Sequence, residues 1–110
     1  MKKFHIAIGV SDVAKSVEDY SKRLECEPTL VIPEQYALWR TDTLNFSIRK
    51  VSENPGALRH LGLEDPAVSR FTEDKDVNGI VWERFNAGLQ AQEIQAAWPA
   101  VRGKMRVKGG

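Results

Sequence analysis

One cysteine and two histidines are all that this 110-residue chain holds of thiol and imidazole ligands. A lone Cys26 excludes an internal disulfide framework and any all-cysteine metal cluster. Glu25 and Glu27 flank it, and their charge disfavours the thiolate, so a nucleophilic role for Cys26 is not expected. Charge of one sign is missing too: 16 basic against 15 acidic residues leave a net +1, which offers no broad field to nucleic acid or to an anionic membrane. No apolar run approaches the roughly 18 to 20 residues that cross a bilayer. The start, Met1-Lys2-Lys3-Phe4, lacks the apolar core of a signal peptide, and the expected location is the cytoplasm. A Gly-rich phosphate loop, a serine nucleophile elbow and a Cys-x-x-Cys pair are absent, which removes the mechanisms built on them. A chain of this length makes one compact domain, whose expected partners are a small molecule and a second copy of itself.

Against these absences, periodicity is plain. Phe4, Ile6, Ile8 and Val10 alternate with His5, Ala7 and Gly9, the two-residue period of a strand with one face on a core. His5 then points away from the aliphatic row. Ser11-Asp12 offers a helix cap, and Val13, Val17, Tyr20 and Leu24 follow at helical spacing. Short strands are expected over Thr29 to Ile32, Tyr36 to Thr41 and Leu44 to Arg49, where Asn45, Ser47 and Arg49 form a polar row on the face expected for His5. After the loop Ser52-Glu53-Asn54-Pro55-Gly56, the opening pattern returns: His60-Leu61-Gly62-Leu63-Glu64 echoes His5-Ile6-Ala7-Ile8-Gly9. The second copy is shorter, because Asp65-Pro66 follows at once. A hairpin around Asp76-Val77-Asn78-Gly79 comes next. Ala87, Ala91, Ile94 and Trp98 then stripe a late helix that Pro99 stops, and which is expected in the layer where a second-copy helix would have packed. The tail from 101 to 110, with Arg102, Lys104, Arg106 and Lys108, has little to bury and is expected to be flexible.

The order of these motifs, closing with Asp76-Val77-Asn78-Gly79-Ile80-Val81-Trp82-Glu83-Arg84-Phe85, resembles the glyoxalase/bleomycin-resistance/dioxygenase (vicinal oxygen chelate) superfamily. The resemblance implies an α+β fold in which paired βαβββ-type modules form a cupped mixed sheet. The first module would cover about 1–52, a shortened second about 57–86, and a C-terminal helix about 87–98, within a single domain of about 1–100. It further implies a metal site made by His5, His60 and Glu83. Two imidazoles and one carboxylate suit iron(II), and also manganese, nickel or zinc. The fourth position of the family pattern falls on Ser47, a poor ligand. Asn45, Ser47, Arg49, Arg40 and Tyr36 are candidates for substrate binding, with Arg40 and Arg49 offering charged forks to a carboxylate.

Two functions follow. One is a divalent-metal-dependent lyase, isomerase or dioxygenase acting on a small molecule; the other is a metal-free binding or resistance-type protein of the same fold. A ferredoxin-like α+β dimer competes at the level of fold. No general base is placed by spacing alone: Tyr36, Glu64 and Glu73 are the candidates, as neighbours of the cavity. Trp39, Trp82 and Trp98 are expected to fill the core, a subunit contact or an aromatic wall. The shortened second module leaves a sheet edge and an apolar face, hence the expectation of a homodimer.

Overall fold

The computed structural model describes residues 1–99; the tail expected to be flexible lies outside the described residues. The elements are β1 (Lys3–Val10), α1 (Val13–Leu24), β2 (Leu30–Ile32), β3 (Tyr36–Arg40), β4 (Leu44–Lys50), β5 (Leu58–Glu64), β6 (Thr72–Lys75), β7 (Val81–Phe85) and α2 (Ala87–Ala97). They form an α+β fold with one seven-stranded mixed sheet in the order β2-β3-β4-β1-β5-β7-β6. The sheet is open and cupped.

Two modules are legible in that order. β1 lies parallel to β4 and β4 antiparallel to β3, just as β5 lies parallel to β7 and β7 antiparallel to β6. The antiparallel β1–β5 pair joins the two halves, with Ala7 opposite His60. The first half is a full βαβββ unit. The second lacks its helix and one strand, since Asp65 and Pro66 turn the chain directly toward β6. A ferredoxin-like sheet has a different strand order and is excluded.

Local chemistry explains the elements. The Asp12 carboxylate accepts the Lys15 amide at 2.9 Å and caps α1, while Glu25 in the left-handed region closes it. Val13, Val17, Tyr20 and Leu24 then cover the row Ile8, Val10, Ala37, Trp39, Phe46 and Ile48. The hairpin turn is held by Asp76, whose side chain accepts the amides of Asn78 and Ile80, and Gly79 supplies the positive φ of 81°.

α2 sits elsewhere than the sequence suggests. Ile94 packs with Leu30, Ile32, Tyr36 and Leu38, on the sheet face opposite α1, and Trp98 joins that cluster. The late helix therefore enters the concave side over the first module and leaves uncovered the place where a second-module helix would have packed. Its N-cap is Asn86, whose side chain accepts the Leu89 amide at 2.7 Å.

Candidate metal centre in the cup

Strand alternation and register bring His5, His60 and Glu83 onto the concave face. The Nε2 atoms of His5 and His60 are 2.9 Å apart, Glu83 Oε1 is 3.0 Å from His60 Nε2, and it is 3.9 Å from His5 Nε2. One ligand atom from each residue thus faces the other two. Donors about 2.0 to 2.1 Å from a shared cation stand about 2.8 to 3.4 Å apart at octahedral or tetrahedral angles; the two separations at His60 fall in that range, and a shift of about half an ångström by the Glu83 carboxylate toward His5 brings in the third. Gly62 makes the approach of β5 and β7 possible, because any side chain there would run into the Glu83 backbone carbonyl.

The protonation of His5 follows from its partners. Its Nδ1 is 2.8 Å from Asn45 Oδ1 and 3.1 Å from the Asn45 carbonyl oxygen, and both of these only accept. Nδ1 therefore carries the proton, and Nε2 presents a lone pair to the cluster. The orientation of Asn45 is fixed in turn. Its amide nitrogen donates to Glu64 Oε1 at 2.7 Å and to Gln90 Oε1 at 2.8 Å, while Gln90 Nε2 donates back to Asn45 Oδ1 at 3.1 Å. Arg40 completes the chain with bonds to both Glu64 oxygens, Nε at 2.9 Å and Nη2 at 2.7 Å. Burial pushes His5 below the usual histidine value, with His60 adding to the effect, so the imidazole stays neutral at neutral pH.

Around the cluster lies a cavity of about 370 Å³. Tyr36, Ser47 and Arg49 line it together with the three candidate ligands. Asn45 and Arg40 do not: both lie behind His5, and Arg40 is committed to Glu64 rather than to a carboxylate ligand or to solvent. The register also places Ser47 opposite Ala7, as Glu83 is opposite Gly62, so serine occupies the pseudo-symmetric counterpart of the Glu83 position.

The three candidate proton acceptors separate. Burial raises the Tyr36 phenol to about 12, against a smaller opposing bond from Ser47, so it donates and does not abstract. Burial would raise Glu64, but the bonds from Arg40 and Asn45 hold it below the usual carboxylate range. Glu73, opposite Glu83 on β6, faces the cavity. Among the tryptophans, Trp39 is fully buried under α1, Trp82 is half-buried on the same convex side of the sheet in the second module, and Trp98 lines the cavity.

Two residues of the site escape sequence reasoning. Gln90 carries no signal beyond a polar residue in a helix. Arg59 would face away from His60 by simple alternation, yet it lines the cavity.

No family model and no curated protein matches this sequence. A solved structure described as NAD-dependent benzaldehyde dehydrogenase from Legionella pneumophila is similar to it with a TM-score of 0.54 and 14% identity, over 76% of this chain and 97% of that one. At that identity the likeness concerns the fold alone.

Proposed function

We propose that this chain is a divalent-metal-dependent enzyme resembling the vicinal oxygen chelate superfamily, a lyase, isomerase or dioxygenase that acts on a small molecule held in the cup. The observation that carries this reading is the convergence of His5, His60 and Glu83, with the His5 tautomer fixed by Asn45. Iron(II), manganese, nickel or zinc would be held by these three residues. When bound, such a cation acts as a Lewis acid toward adjacent substrate oxygens. The protein's own groups then divide the remaining work: Tyr36 offers a hydrogen-bond donor, Glu73, which lines the cavity, takes the part of proton acceptor in this reading, and Phe71, Phe85 and Ile94 exclude water from one side.

Ser47 supports a second reading. With serine rather than an acid at the counterpart of Glu83, the first module contributes one ligand, as expected of a metal-free binding protein of the same fold.

Elemental analysis of protein purified without a histidine tag separates the two. About one equivalent of a transition metal per chain is expected, lost in both His60→Ala and Glu83→Gln while their circular dichroism is unchanged. Protein that is metal-free and takes up none of the four metals supports the binding reading instead.

A further inference from the structure

Arg59 owes its position to an irregularity. In the β1–β5 ladder Ala7 stands opposite His60, but Ile8 stands opposite Leu58, so Arg59 is the extra residue of a β-bulge. Bulges re-aim side chains beside functional sites. Here the guanidinium reaches the cavity that His60 also faces. From the other module Arg49 reaches the same cavity and lies over the Trp98 ring, its guanidinium carbon 4.9 Å from the centroid. Neither arginine makes an ion pair with an acid among the described residues, whereas Arg23, Arg40 and Arg84 pair with Asp19, Glu64 and Asp65. Glu73 and Glu93 line the cavity without reaching either guanidinium. Arg49 and Arg59 stand close enough in the cup for their charges to act on each other, and Glu83 acts on Arg59 from the opposite sign.

We infer that Arg49 and Arg59 together read the carboxylate of a small ligand whose flat apolar body lies along Phe71, Phe85 and Trp98. A guanidinium matches the two oxygens of a carboxylate with two parallel donors. Phosphate is the poorer fit, because phosphate sites add backbone amides from a Gly-rich loop or a helix N-terminus. The N-terminus of α2, at Ala87, opens on a different cavity. The fork is independent of any cation in the cup, and so goes beyond the proposed function.

Titration calorimetry of the full chain with phenylacetate and with its neutral isostere phenylacetamide tests the inference, in chelator-treated and metal-loaded protein. The acid is expected to bind at least about tenfold more tightly than the amide, and Arg59→Gln to remove about that factor for the acid alone. Arg49→Gln should do the same for the acid, whereas Arg23→Gln, on the far side of the sheet, should leave both affinities unchanged. Arg59 is exposed on its bulge, so its variant is expected to fold, and Arg59→Lys should retain part of the preference. Equal affinity for acid and amide, no binding of either at millimolar concentration, or an acid affinity indifferent to Arg59→Gln would overturn the inference. Binding with the same arginine dependence in protein that takes up no metal would sustain it while removing the proposed enzyme.

Discussion

Glu64 and Arg40 form a buried pair behind the candidate metal centre, and such pairs fail asymmetrically. Replacing Arg40 by Met leaves the Glu64 carboxylate buried without its main partner, a loss on the order of 3 to 5 kcal/mol. Chemical denaturation with urea is expected to show it as a lower midpoint. The pair also sets a pH dependence. Glu64 titrates below its ordinary value of 4.5 in the folded protein, so the unfolded chain binds more protons in the interval between the two. Its contribution is complete above pH 4.5 and is lost as the pH falls through the depressed value. Urea midpoints should therefore drop more steeply on acidification in the parent than in Glu64→Gln, even though the variant starts lower. An identical acid slope in both would show that Glu64 is not held by its partners. The same residues mark where sequence reading stops. His5, Asn45 and Ser47 are legible as one polar face because strand period alone puts them there. That Asn45 and Arg40 serve the histidine rather than a ligand is not legible, because it depends on Glu64, 19 and 24 residues away, and on a helix closing over them.

Elements differ in how much of themselves they declare. α1 is written locally, in a cap at Asp12 and an apolar stripe at helical spacing, and strands β1 and β4 by strict alternation. The stripe of α2 tells that one face is buried, but nothing in a helix says which side of a sheet it will choose. The choice is settled by Ile94 meeting Leu30, Ile32, Tyr36 and Leu38, a contact between distant segments. Ile94→Ala should cost roughly 2 to 5 kcal/mol, and thermal unfolding will measure it. Because Gln90 sits one turn earlier on the same helix, that variant is also expected to loosen the hold on Asn45 and weaken metal uptake. The bulge at Arg59 is equally silent in sequence, since it involves no glycine and shifts one residue only. Gly62 is the opposite case: its small size answers a close approach of β7. Gly62→Ala should force β5 and β7 apart and move Glu83 from the histidines. The expected result is a destabilisation of roughly 1 to 3 kcal/mol with reduced metal affinity, and unchanged metal affinity would remove Gly62 from the argument.

At the scale of the whole molecule the two modules are unequal in cover. α1 shields the convex face of the first, whereas the corresponding face of the second, where the register places Leu61, Leu63 and Trp82 beside Phe4 of β1, has no helix over it among the described residues. Phe4 is 40% and Leu58 42% exposed, and Phe4 and Trp82 stand with ring centroids 6.1 Å apart. The neighbouring edge strand β6 carries Thr72, Glu73, Asp74 and Lys75, all exposed, and charged residues of this kind discourage sheet extension through that edge. Face-to-face pairing is then the route by which a second copy would bury the patch, each chain covering the other's uncovered half about a two-fold axis. We propose that the chain is such a homodimer. Sedimentation of the parent at micromolar concentration should give the dimer, and Phe4→Lys combined with Leu58→Lys should give a monomer with the same circular dichroism, because both side chains are already partly in solvent. A charged residue at Trp82 should have the same effect, with more risk to the fold since its indole donates to Asp76 at 2.8 Å. The cup opens on the opposite face, so the monomeric variant should still bind metal and carboxylate. A parent protein that sediments as a monomer at that concentration would end the proposal and leave the missing second helix as a loss without a substitute.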